Sequence, residues 1–290
     1  MTRKVISLGL IFIFAFACTP TVPEEDEKKE IKIVYTDWAE SIGMTYLAQV
    51  LLERHLDYDV ILKLTEVDGA FKEIANGESD AFLNAWIPAT HKEYLELYKN
   101  RFEDLGPNYK SAKTGLVVPT YMKQENINDL KQTYVEPIAG IDSASGIMQH
   151  TRRAIDAYKL ENELLVLSDA EMTEKLINAI KRRGSIVVTG WEPHWLFYRY
   201  DLKYLDDPEK VYMEVEQIHT IARKGFSEDH PRAVRFFERM VLSEKQINAL
   251  LYEIHIKEDP LEGVKEWIKN NKFTVNQWTR DLSTRREKIM

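Results

Sequence analysis

The feature that most constrains this chain is a repeated exchange between two hydrophobic periods. IKIVY (31–35) is a short β-branched run, and SIGMTYLAQVLLERH (41–55) then spaces its apolar residues at helical intervals. YDVILKL (58–64) reads as strand, AFKEIANG (70–77) as a short helix ended by Gly77, and DAFLNAW (80–86) as strand. A helix around 90–99 precedes TGLVVP (114–119), a strand closed by Pro119. The grammar then restarts with PIAGID (137–142) as strand and GIMQHTRRAIDAYKL (146–160) as an amphipathic helix. LLVLS (164–168), DAEMTEKLINAIKRRG (169–184) and SIVVTGW (185–191) follow as strand, helix and strand. Past residue 225 the pattern is helical, and VEQIHTIARKG (215–225) is suited to lead the chain back to the first series. Two βα series in succession predict two α/β lobes with mainly parallel sheets and a helical C-terminal tail.

Composition removes several classes. With 290 residues the chain has core enough for one large or two modest domains. Its 12 Gly, 10 Pro and single Cys exclude collagen-like and disulfide scaffolds. A net charge of −8 argues against a basic nucleic-acid-binding surface, so no nucleic-acid partner is expected. The N-terminus is an address label: Arg3 and Lys4, an apolar run from Val5 to Ala17, then Cys18. That run spans about 20 Å as helix, short of a bilayer core of roughly 30 Å. Residues 1–17 therefore read as a signal peptide rather than a membrane span. Cys18 after Ala-Phe-Ala resembles a bacterial lipobox, with Ala15 in place of the usual Leu, and implies lipidation. Residues 18–30, with Pro20 and Pro23 among charged residues, suit a flexible tether.

Ligands of open α/β sheets bind beyond the carboxyl ends of strands. Three Trp occupy such places: Trp38 after 31–35, Trp86 at the end of 80–86, and Trp191 at the end of 185–191. Trp195, Trp267 and Trp278 lie in helical contexts and are read as packing residues. Any one strand-end Trp alone is read as a hydrophobic plug, but three converge on one cleft. An indole face attracts a cation that has no hydrogen bonds to offer, which describes a quaternary ammonium group. A second constellation suits a carboxylate. In IDSASGIM, Ser143, Ser145 and Gly146 mark a strand-to-helix turn whose free N–H groups form an anion site, or else a plain helix cap. His91, five residues beyond Trp86, is a further candidate donor or else a surface His at a helix start. Cation cage plus anion clamp describes a zwitterion such as a betaine.

DWAESIGMT, DAFLNAWIPATHKEY, TGLVVPTYM, GIDSASGIM, IVVTGWEPHWLFYRYDLKYLDDP and EQIHTIARKGF resemble the substrate-binding proteins of glycine betaine and proline betaine ABC transporters, over residues 31–280. The resemblance implies a type II periplasmic-binding-protein fold, two α/β lobes closing over the ligand by a hinge. It implies that Trp38, Trp86 and Trp191 surround the trimethylammonium group. Gly146 and Ile147 would supply backbone donors to the carboxylate and His91 a side-chain donor. Choline binders of the family carry a Tyr after the Ala-Lys of a GPN-x-x-x-AK segment; here GPNYKSAK (106–113) is followed by Thr114. Glu40 stands where a choline binder places an acid, or is a solvated loop acid or helix cap.

The expectation is therefore an extracytoplasmic lipoprotein, anchored at the cell envelope through Cys18, that delivers glycine betaine or proline betaine to an ABC permease. Choline or carnitine is the alternative ligand. Lobe 1 is expected at 31–118, lobe 2 at 119–220, and a helical return to lobe 1 at 221–290. No cofactor, metal or catalytic residue is expected. A hydrolase using Glu40 with Glu192 lacks a nucleophile elbow, phosphate loop or clustered metal ligands, and a surface adhesin is the remaining competitor.

Overall fold

The computed structural model describes residues 29–212 and 215–282. The expected signal segment, Cys18 and the tether as far as residue 28 lie outside the described residues. The chain begins with β1 (Glu30–Tyr35), α1 (Ala39–His55), β2 (Asp59–Leu64), α2 (Val67–Asn76), β3 (Ala81–Ile87) and α3 (Lys92–Leu97). A long strand β4 (Phe102–Pro119) leads through a short turn to α4 (Leu130–Thr133), β5 (Ile138–Ala139), α5 (Gly146–Tyr158), β6 (Leu164–Leu165) and α6 (Asp169–Lys181). Then come β7 (Val187–Glu192), α7 (Trp195–Arg199), β8 (Leu202–Tyr204) and β9 (Glu216–Arg223). The tail is α8 (Phe226–Asp229), α9 (Pro231–Arg239), α10 (Glu244–Lys257), α11 (Pro260–Asn270) and α12 (Lys272–Thr279).

Local chemistry sets these bounds. Gly77 ends α2 in the left-handed region at φ 72°, where an L side chain is strained. Ser168 and Glu171 form a reciprocal capping box at the start of α6. Asp259 caps α11, with Pro260 in the first turn, where its missing N–H costs nothing. β3 is buried along nearly its whole length, as a central strand covered on both faces must be.

The strand order is β2-β1-β3-β9-β4-β7-β5-β6, with β8 on β4. β1, β2 and β3 are parallel, as are β5, β6 and β7. β9 and β4 run antiparallel to their neighbours, so each parallel set is completed by a crossing strand of opposite sense. β4 joins the two halves: its residues Phe102–Ala112 pair with β9, whereas Lys113–Pro119 pair with β7 and β8. The fold is thus two-lobed α/β with mixed sheets, the architecture that the resemblance implies. The sheet pairing changes lobes within β4 and returns through β9 from Glu216, inside the spans that the sequence reading divides at 118/119 and 220/221. Trp195, Trp267 and Trp278 are buried packing residues of the helical parts.

Candidate functional site

The cleft between the lobes holds a small, mostly apolar hollow. Trp38, Glu40, Trp86, His91, Gly146, Ile147 and Trp191 line it, as does Ser145 of the predicted anion-site turn, whereas Ser143 does not. Trp38 enters from the β1–α1 turn, Trp86 from β3 and Trp191 from β7. The two parallel sets therefore aim their carboxyl ends at one space. Each indole is 3–6% exposed and each N–H is committed to an oxygen. Trp38 Nε1 donates to Asp142 Oδ2 at 2.9 Å, Trp86 Nε1 to Asn84 Oδ1 at 3.0 Å, and Trp191 Nε1 to Glu40 Oε2 at 2.8 Å. The N–H bonds fix the rings and leave a ligand only their apolar, negative faces.

Glu40 is no solvated loop acid. It is 1% exposed, and its second oxygen accepts from Asn84 Nδ2 at 3.0 Å. Burial raises its pKa, while the bonds from Asn84 and Trp191 and the charge of His194 pull the other way.

His91 is likewise buried rather than superficial. Its Nδ1 accepts the backbone N–H of Trp86 at 3.0 Å, which leaves the proton of the neutral ring on Nε2. Nε2 is buried and has no hydrogen-bond partner. Phe71 and Tyr94 meet the ring edge to face, and Trp38 stacks on it. This burial first, and the charge of His150 second, lower the pKa to about 3. His91 is thus a neutral donor at ordinary pH. The unfolded chain takes up a proton near pH 6.5 that folded His91 refuses. Its contribution to stability is complete above about pH 6.5 and is lost as pH falls toward 3, by up to ~1.4 kcal/mol per pH unit. The melting temperature should therefore fall between pH 7 and 5.5, less steeply for His91→Gln. Equal slopes for the two proteins would show that His91 protonates freely in the fold.

Gly146 and Ile147 open α5, a helix of 13 residues whose N-cap Ser145 makes no side-chain cap. The Ser145 hydroxyl donates instead to Asp142 O at 2.8 Å. The first N–H groups of a helix have no intrahelical acceptor and carry the positive end of its dipole. The loop opposite is held by Glu216 at the start of β9, whose carboxylate accepts from Ala89 N and Thr90 N, both at 2.8 Å, and from the Thr90 hydroxyl. The return strand thereby sets the loop that carries His91.

Four contributors escaped the sequence reading: Asn84, Asp142, Thr114 as a lining residue, and Glu216. Asn84 had a signal, a polar side chain at the centre of a buried strand and two residues before Trp86. Thr114 lines the hollow, and its buried hydroxyl has no partner.

Comparisons with known proteins give the family. Residues 29–270 match the family model described as the substrate binding domain of ABC-type glycine betaine transport system. A glycine betaine/carnitine transport binding protein of Listeria monocytogenes is 43% identical over 154 residues, which are 52% of this chain and 51% of that protein. The match thus spans about half the length of this curated relative. A lactococcal OpuAC crystal structure, closed and complexed with glycine betaine, superposes with TM-score 0.82 at 34% identity. The match covers 87% of this chain and all of that one. A glycine betaine/L-proline-binding protein from Borrelia burgdorferi gives TM-score 0.81 at 31% identity, covering 86% of this chain and 96% of its own. The chain belongs to the family of substrate-binding domains of ABC-type glycine betaine transport systems, which are solute-binding proteins and not enzymes.

Proposed function

We propose that this chain is an extracytoplasmic binding protein that captures glycine betaine, or the closely related proline betaine, for an ABC importer. Trp38, Trp86 and Trp191 take the quaternary ammonium between their faces. The N–H groups of Gly146 and Ile147 and the Nε2–H of His91 take the carboxylate. The reading includes lipid anchoring through Cys18 and delivery to a membrane permease. The observation that carries it is the buried, unpartnered Nε2 of His91, which lines one hollow with a free helix N-terminus and three indole rings.

These donors favour a carboxylate ligand over choline. A ligand without an anionic end leaves buried N–H groups unmet, at about 1–3 kcal/mol each. Glu40, the residue that would favour a plain cation, already has both oxygens engaged. On the cation side, three faces at about 0.5–2 kcal/mol each make up a substantial part of the roughly −8 kcal/mol of micromolar binding.

Isothermal titration of the purified chain with glycine betaine should give saturable one-to-one heat, and choline a weaker response. Absence of heat at millimolar glycine betaine would overturn the assignment. His91→Phe removes a hydrogen bond to a charged group, worth about 1.5–3 kcal/mol, and should weaken glycine betaine by about 10- to 150-fold. Choline affinity should barely move. Equal losses for both ligands would count against His91 as the carboxylate donor.

A further inference from the structure

The two indole–carboxylate bonds at the ends of the hollow both cross the cleft, and in opposite directions. Trp38, on the β1 side, donates to Asp142 beyond β5 in the other lobe. Trp191, on β7, donates back to Glu40 in α1. Resting on the binding function proposed above, we infer that Asp142 and Glu40 form a closure latch: each lobe's cage Trp is held by an acid of the opposite lobe. The ring that meets the ligand's cation is thus the same ring whose N–H registers that the lobes have met. Asp142 and Glu40 are positioning residues in this scheme and hold the ligand through the indoles they orient.

The surroundings of Asp142 make the latch conditional on a cation. Closure brings Asp142 toward Asp37 and Glu66 of the first lobe, and its Oδ1 is buried without a partner. Burial first, then the charges of Asp169 and Asp142, raise the pKa of Asp37; burial first, then Asp142, Asp37 and Asp68, raise that of Glu66. Closing an empty cleft therefore gathers like charges, whereas a quaternary ammonium between the rings offsets them. Release then requires both indole N–H bonds to break, and the latch acts mainly on the dissociation rate.

The test compares the full chain with Asp142→Ala and Asp142→Asn. Asn keeps an oxygen acceptor for the Trp38 N–H, and Ala does not. Glycine betaine dissociation is followed by indole fluorescence after rapid dilution, and solvent exchange of the Trp38 indole proton is followed by NMR at saturating ligand. Asp142→Ala should release ligand at least about tenfold faster and lose protection of that proton, while Asp142→Asn should stay within about threefold of the wild type on both counts. Glu40→Gln keeps one oxygen for the Trp191 N–H but turns an amide N–H toward the Asn84 donor, so release should quicken relative to the wild type. Wild-type rates and protection in Asp142→Ala overturn the latch, as does an Asn variant as impaired as Ala, which would assign the effect to charge alone. A wild-type chain that takes up no glycine betaine overturns the binding function instead, a result separable from the first because the variants are not needed to see it.

Discussion

Gly146→Ala should leave a chain that folds at least as well as the wild type but binds glycine betaine about a hundredfold more weakly. A Cβ built on Gly146 lies 2.1 Å from Thr90 O and 2.8 Å from its carbonyl carbon, with Thr90 Cγ2 at 2.4 Å. Thr90 is in the first lobe and Gly146 opens α5 of the second, so the added methyl is a wedge across the cleft. Thr90 cannot yield easily, since its backbone N–H and hydroxyl are both held by Glu216. Overpacking costs about 1–3 kcal/mol, and a clash with fixed backbone belongs at the upper end, which corresponds to the stated loss. With the lobes apart the same substitution is harmless, because Ala is a better helix former than Gly by about 1 kcal/mol. The melting temperature without ligand should therefore hold or rise, while the upward shift given by glycine betaine largely disappears. An undiminished shift would show that the two lobes do not meet at this point when ligand is bound.

The lobes were legible because their elements alternate in period. α1, α2, α5 and α6 stand close to the spans that the spacing of apolar residues predicts. β4 was not legible over its first half. Residues 102–113 contain Gly106, Pro107 and Asn108, which read as turn chemistry, yet the strand continues through them by shifting register against β9 three times. Gly106, at φ 92°, supplies one conformation that such a bulged strand needs. β5 and β6 contract to two residues each, because little of the expected runs at 137–142 and 164–168 finds a pairing partner. The antiparallel sense of β4 and β9 was hidden for a related reason: both cross between the lobes, and their direction is set by connection rather than by residue pattern.

Within the site, the residues whose chemistry is intrinsic were legible. A Trp at a strand end, a Gly at a helix start and a His just beyond a Trp each announce themselves locally. What holds them did not. Asp142 lies 104 positions from Trp38 in sequence, and Glu40 lies 151 from Trp191. Such partners become visible only when both lobes are assembled, since nothing in the GIDSASGIM segment distinguishes an acceptor of an indole N–H from an ordinary loop acid. Glu40 was legible as a candidate, but not its burial or the two donors, Asn84 and Trp191, that engage its oxygens.

Trp191→Ala carries the other large effect, because that side chain acts on both sides of itself. Its removal takes away one cation-binding face, about 0.5–2 kcal/mol, and strips Glu40 Oε2 of its donor in a site only 1% exposed. Leaving a buried acceptor unmet costs about 1–3 kcal/mol. The combined loss of about 1.5–5 kcal/mol predicts a dissociation constant for glycine betaine raised roughly 10- to 5000-fold by titration calorimetry. Trp191→Phe separates the two contributions, since it keeps an aromatic face and lacks the N–H, and it should fall between the wild type and Ala. Trp267→Phe is the matched control: its indole is buried and donates to Gln246 O at 2.9 Å, far from the hollow, so it should lower the melting temperature without changing affinity. Were Trp191→Ala and Trp191→Phe to bind alike, the ring face would contribute nothing, and the cation would have to be held by Glu40 directly.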